Sequence, residues 1–376
     1  MQSVNWPPMG NPALSRRGFM RLCVGALGVA AGSALAGCAS GASQASSVAS
    51  QARASNVSGV SASSSASGAV PLSAQRYEQL TRTLFAFDTV VTLKASCSEE
   101  EMAGAADRCA YFESIFSRTI ETSDIGRINA AGGAPVKVAP ETADIVTKAL
   151  AYCEESGGLF DITIGAASTL WDFKQGVVPD SAALEEAVKH IDYRSVALDG
   201  TTITLCDPQA KLDLGGIAKG YIADALCAYF QEVGCDSGFV NLGGNVKTIG
   251  RRPDGAPWRV GIQDPNDIEG TVIAAVNSHD QSEVTSGLYE RRFTRDGRDY
   301  WHILDPRTGY PVQTDLVSAT IISDASIDGD GYTKPLFMMG HDAALAWINA
   351  HEGLEGLVVD MDGTITQSNG CNAELL

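Results

Sequence analysis

Positive charge is scarce in this 376-residue chain: 27 Lys plus Arg stand against 45 Asp plus Glu, a formal net charge of −18. A field of that sign repels a phosphate backbone, which argues against nucleic acid as a partner. A phosphorylated ligand would have to be met locally, by a metal ion, backbone N–H groups or a lysine. The nine cysteines form no CxxC pair and no zinc-ligand spacing. Seven lie beyond the leader, mostly in apolar runs where a free thiol behaves as a small hydrophobe, so no disulfide framework is expected. There is no short-period repeat, no GxGxxG and no GK[ST] of a phosphate-binding loop. The apolar stretch from Leu22 to Ala36 is too short for a comfortable transmembrane helix.

That stretch instead completes an export signal. Ser15-Arg16-Arg17-Gly18-Phe19-Met20 is a twin-arginine pattern, and Leu35-Ala36-Gly37-Cys38 resembles a bacterial lipobox in which Cys38 is lipidated. Residues 1–37 therefore read as signal peptide, and the chain is expected on the outer face of the bacterial cytoplasmic membrane. Residues 38–75 are nearly all Ser, Ala, Gly, Val and Gln, too poor in apolar area to fold, and read as a flexible tether.

Residues 76–376 read as one folded region. Phe85–Lys94 alternates as a strand does, and Glu99–Arg118 has helical spacing with Met102, Ala105, Cys109, Phe112 and Ile115 on one face. Pro140–Ser156 opens on a helix start signal, and Ser181–His190 predicts another helix. Strands are expected at 195–197, 202–206, 238–241, 258–262 and 270–276. Helices and strands interleave without a regular βαβ rhythm, which favours an α+β fold.

Four segments carry chemistry. Asp213-Leu214-Gly215-Gly216-Ile217-Ala218-Lys219-Gly220 is a glycine turn running into a helix, where N–H groups can approach an anion. Asn241-Leu242-Gly243-Gly244-Asn245 follows an apolar strand. Glu290 is followed by His302-Ile303-Leu304-Asp305-Pro306-Arg307-Thr308-Gly309, a histidine with a carboxylate three residues on. Asp328-Gly329-Asp330-Gly331-Tyr332-Thr333-Lys334-Pro335 offers oxygens and glycines that suit a hard cation, although no Glu closes it as in an EF-hand. Each alone is also what an ordinary turn looks like.

Their order and spacing resemble the ApbE family of FAD:protein FMN transferases, from about residue 80 to 365. Phe87-Asp88-Thr89, Ser123-Asp124 with Asn129, Gly158-Leu159-Phe160-Asp161-Ile162-Thr163 and Trp171-Asp172-Phe173 match as well. The resemblance implies two related α+β halves with the flavin between them. FAD, the substrate, would be contacted by Phe87, Leu159, Phe160, Asp161, Asp213, Lys219, Glu290 and His302. Mg²⁺ would sit on the main-chain carbonyl of Gly216 and on Asp330, with Thr333 as a further ligand. An acceptor Thr or Ser would attack the FMN-side phosphorus, His302 oriented by Asp305 would take its proton, and AMP would leave. The acceptors implied are exported or membrane-embedded electron-transfer proteins.

Three positions depart from the family pattern. Lys334 stands where most members have a Thr four residues after the metal-binding Asp, and Pro335 disfavours helical geometry there. Thr119 replaces an aromatic flavin contact, and Asn245 replaces an Asp. The rival readings are an FAD-binding lipoprotein without transferase activity and an Mg²⁺-dependent FAD pyrophosphatase with water as nucleophile. Asp360-Met361-Asp362-Gly363-Thr364 mimics a phosphatase motif, but too few residues follow it, and it reads as a β-hairpin with an Asp-Gly turn.

Overall fold

The computed structural model describes residues 78–267 and 270–376. The leader, Cys38 and the tether lie outside the described residues. In chain order the elements are β1 (Gln79–Ala86), β2 (Thr89–Ser96), α1 (Glu99–Phe116), α2 (Asp124–Ala130), β3 (Val136–Lys137), α3 (Pro140–Glu155), α4 (Gly165–Ser168) and α5 (Ser181–Val188). Next come β4 (Val196–Asp199), β5 (Thr202–Leu205), α6 (Ala218–Glu232), β6 (Ser237–Leu242), β7 (Asn245–Gly250), β8 (Trp258–Gln263), β9 (Val272–Ser278) and β10 (Ser282–Gly287). The chain closes with β11 (Arg292–Arg295), β12 (Arg298–Trp301), β13 (Leu316–Ser323), α7 (Ser326–Met339), α8 (His341–Ala350), β14 (Glu355–Asp360), β15 (Ile365–Gln367) and β16 (Glu374–Leu375).

The frame is an eight-stranded sheet of order β1-β2-β6-β7-β10-β13-β14-β15, antiparallel at every junction. Alternation along its strands divides the core between its faces. Ala319 and Ile321 of β13 and Val358 of β14 pack with Leu336 and Phe337 of α7 and Ile348 of α8. Their neighbours Ile322, Leu357 and Val359 point the other way, onto Ile262, Ala274 and Val276 of the small sheet β16-β9-β8. Helices α1 and α6 extend the first layer over Val91, Leu93, Val240 and Leu242. The fold is mixed α+β, and no helix among the described residues is long and apolar enough to cross a membrane.

Helix ends follow local chemistry. Ser98 and Glu101 form a capping box that starts α1, and Pro140 sits in the first turn of α3, where its missing N–H costs nothing. Two expectations are corrected. The single strand over 85–94 is a hairpin whose two-residue turn is Phe87-Asp88, with φ of 55° and 59°. Asp328–Pro335 is not a loop but lies inside α7, which continues through Pro335. The Asp362-Gly363 hairpin joins β14 to β15 as the sequence predicts.

Candidate active site

The site begins where α6 crosses α7. Glycine makes the crossing possible: a Cβ on Gly220 would stand 2.4 Å from the Ser326 carbonyl oxygen, and one on Gly329 would stand 2.5 Å from Val284 Cβ. Carboxylates then lock the crossing in both directions. Asp224 of α6 accepts the Ser326 and Ile327 N–H groups, which starts α7 without a cap of its own. Asp330 of α7 returns the contact, accepting the Gly220 N–H in the first turn of α6 at 2.8 Å. Tyr332 ties α7 to α3 by donating to Glu155 at 2.6 Å, and Tyr152 donates to Asp328.

Asp330 is fully buried and carries the charge of the site. Its Oδ1 meets Lys334 Nζ at 2.6 Å and Lys219 Nζ at 3.4 Å. Lys334 Nζ also donates to the Asp330 main-chain oxygen at 3.0 Å. Burial alone would raise this carboxyl, but Lys219, Lys334 and the Gly220 N–H together hold it at about 2. Burial, opposed by Asp330, lowers the Lys334 ammonium from its ordinary value. The Thr333 hydroxyl lies 2.9 Å from that of Ser286 and 3.5 Å from the Asp330 main-chain oxygen.

Other elements bring further groups to this cluster. Gly216 opens α6 against Phe160, whose Cε2 would stand 3.0 Å from a Cβ at Gly216; Lys334 Cε would stand at 3.9 Å. His302 is part-buried, and its Nδ1 has no hydrogen-bond partner. Desolvation first, then Arg291, Lys334 and Lys219, depress its ring to about 3, so the imidazole is neutral. Glu290 is open to water at its surface, yet enough protein surrounds it for desolvation to raise its carboxyl against the pull of Lys219, Lys334 and Arg291. The Phe87-Asp88 turn joins through Asp88, which pairs with Lys174 at 2.7 Å and Arg291 at 3.4 Å. A bulky residue at positive φ is costly and must be over-determined by its surroundings. Here Glu113 accepts the Phe87 N–H at 2.8 Å.

The ApbE family model matches residues 87–358. The chain belongs to the ApbE family. An FAD:protein FMN transferase of Treponema pallidum (strain Nichols) is 35% identical over 276 residues, 69% of this chain and 76% of that protein. One from Klebsiella pneumoniae (strain 342) is 35% identical over 263 residues, 69% of this chain and 81% of that protein. Among solved structures, the ApbE protein of Thermotoga maritima superimposes with a TM-score of 0.73 at 31% identity, covering 78% of this chain and 97% of that one. The flavin transferase ApbE from Vibrio cholerae gives 0.69 at 25% identity, with coverage of 78% and 97%.

Within this ApbE fold, Phe160, Gly216, Lys219, Glu290, His302 and Asp330 gather in one place, and three other predicted residues act as braces. Asp161 is buried and wholly engaged by the Thr163 N–H and hydroxyl and by the Tyr193 N–H, so it shapes the loop after α3. Leu159, half-buried, precedes it on that loop. Asp213 is held by Arg118 at 3.1 Å, by the Ser168 hydroxyl and by the Gly215 N–H, which fixes the turn ahead of α6. Asn129 pins the same turn by bonding both the N–H and the carbonyl of Leu212. Asp305 does not orient His302: it closes its own turn and pairs with Arg307 at 2.7 Å. Sequence reasoning reads Lys334 only as a departure at the expected metal site, four residues after Asp330, and does not mark Arg291 as a site residue.

The expected metal ligands do not fit Mg²⁺ as they stand. Of the expected ligands, Asp330 has Oδ1 taken by Lys334 and Oδ2 by the Gly220 N–H, and the Thr333 hydroxyl bonds Ser286 at 2.9 Å and lies 3.5 Å from the Asp330 main-chain oxygen; the Gly216 carbonyl alone cannot supply the set. Mg²⁺ demands oxygen ligands at about 2.0–2.1 Å in an octahedron. The one trio of acid, thiol or imidazole ligands that converges among the described residues is Cys97, Glu101 and Cys235. It lies past the other end of α6, and burial raises both thiols, Cys235 to about 12, against thiolate formation.

Proposed function

We propose that this chain is an FAD:protein FMN transferase. The Lys219–Asp330–Lys334 cluster at the start of α6 carries the reading: a buried carboxylate holds two ammonium groups where a diphosphate can meet them. Phosphoryl transfer needs little covalent help from a protein; it needs charge neutralised and reactants held in line. An acceptor Thr or Ser oxygen forms a bond to the FMN-side phosphorus. The bond from that phosphorus to the bridging oxygen breaks, and AMP leaves with the electron pair. Lys219 and Lys334 offset the negative charge that gathers on the leaving phosphate.

His302 is the group placed to take the hydroxyl proton. Burial first, and then three cations, depress its ring. A bound diphosphate counters those cations and raises the proton affinity of His302 as substrate enters. Glu290 and Phe160 line the same cluster, and Phe87 stands on the neighbouring turn, suited to flavin contact. The Mg²⁺ implied by the resemblance would need the Asp330 and Thr333 oxygens, which are already engaged, so no step is drawn through it.

The leader supports a further part of the proposal. The twin-arginine and lipobox patterns favour export and lipid anchoring through Cys38 on the outer membrane face, with exported or membrane-embedded electron-transfer proteins as acceptors. The test uses the mature chain, FAD and an acceptor domain carrying a Ser/Thr-Gly-Ala-Thr sequence. Intact-mass analysis of the acceptor should show the increment of FMN. An unmodified acceptor beside tightly bound FAD would support an FAD-binding protein instead.

A further inference from the structure

A single ammonium spans the two oxygens that Asp330 would offer a cation. Lys334 Nζ stands 2.6 Å from Oδ1 and 3.0 Å from the main-chain oxygen. Resting on the transferase reading above, we propose that Lys334 takes the place of a divalent metal in this chain, and that FMN transfer runs without Mg²⁺. A divalent ion bound to Oδ1 at about 2.1 Å would crowd an ammonium that shares the same oxygen. Lys219, on that oxygen at 3.4 Å, adds a second like charge. Another expected ligand, the Thr333 hydroxyl, is already engaged, lying 2.9 Å from the Ser286 hydroxyl and 3.5 Å from the Asp330 main-chain oxygen.

The ammonium is also held in position. Its helix continues through Pro335, so Lys334 sits four residues after Asp330 on one face, and its side chain is only 16% exposed. Asp330 is pinned in turn by the Gly220 N–H, so the cation is fixed relative to the start of α6. A lysine binds phosphate as a point charge, and a buried one neutralises a diphosphate without a metal-binding equilibrium. It brings one positive charge where a metal brings two. The bond changes are those given above and need no further reactant.

Two readouts on the mature chain test this. In the first, Mn²⁺ is titrated by electron paramagnetic resonance, with and without FAD, against an FAD-only control. The wild type should hold no Mn²⁺ beyond that control. Lys334→Thr, which exchanges the ammonium for a hydroxyl oxygen, should gain a Mn²⁺ site that Asp330→Asn removes. In the second, transfer by the wild type should be unchanged by EDTA. Transfer by Lys334→Thr should fall about 10²-fold in EDTA, the scale of losing one charge-stabilising group, and recover with Mg²⁺.

Mn²⁺ bound by the wild type and lost in Asp330→Asn overturns the proposal, and so does wild-type transfer abolished by EDTA. If no condition gives FMN transfer, the transferase reading fails and the Mn²⁺ titration alone judges the place of Lys334. Should Lys334→Thr not fold, Lys334→Met keeps an unbranched side chain of similar length and should bind FAD about ten-fold more weakly in EDTA; unchanged affinity would count against the ammonium.

Discussion

Two buried acids flank strand β10, and they differ in almost everything except burial. Val284 and Ser286 face α7, where Asp330 has no solvent exposure. Glu283 points to the opposite face, 2% exposed, between Val246 and Ile322 of the adjoining strands. Asp330 has two ammonium groups and an N–H, and its carboxyl is held at about 2. Neither oxygen of Glu283 has a hydrogen-bond partner, and burial, against a smaller pull from the Ser278 hydroxyl, raises it to about 7. Burial works against both charges; partners decide which one stays ionised. The face with partners is the face where a substrate anion can share the two ammonium groups.

Breaking the paired side should have the largest effect. Asp330→Ala leaves two part-buried ammonium groups without the carboxylate that positions them, which should lower stability by about 3 kcal/mol in chemical denaturation and abolish transfer. His302→Gln comes next, with transfer falling about 10²–10⁴-fold if His302 accepts the hydroxyl proton. The folded ring titrates near 3 against an ordinary 6.5, so the folded state binds fewer protons through that window. Wild-type stability should therefore fall as pH drops from 6.5 towards 3, and the variant should show a flatter slope.

Glu283→Gln sharpens the comparison from the other side. Its folded carboxyl is raised, so the stability it contributes is full below about 4.5 and is lost as pH rises through about 7. Each tenfold change in proton affinity is worth about 1.36 kcal/mol, so at about pH 8.5 the variant should be the more stable by up to about 3 kcal/mol. The two proteins should converge near pH 4. Melting curves at both pH values settle it; a gain of equal size at both would sink the assignment. The smallest change is Asp305→Asn, which loosens the Arg307 turn by about 1–2 kcal/mol and leaves the pH profile of transfer unmoved, because Asp305 does not touch His302.

Much of the fold is legible where local chemistry and tertiary packing agree. Helix α1 starts on its capping box and α3 on its proline, within a residue or two of expectation. Legibility fails where packing overrides propensity. No Gly or Asn announces the Phe87-Asp88 turn, Phe rarely takes positive φ, and the alternation across it reads as one strand. Segment 328–335, with its glycines, acids and proline, reads as a loop. It is helical because Gly329 fits against Val284, Gly331 fits against Tyr152, and Asp224 of another helix supplies the missing cap. The cluster residues Lys219, Asp330 and His302 are visible in the motifs. That Asp305 leaves His302 Nδ1 without a partner is not, because the carboxylate closes its own turn, a choice that spacing alone does not reveal.

The most direct measurement is a single-turnover assay that counts AMP released against flavin-labelled acceptor formed, for the wild type and Asp330→Asn. Equal amounts of the two products from the wild type, with neither from the variant, are the expected result. AMP released without labelled acceptor would contradict the transferase reading and make water the nucleophile.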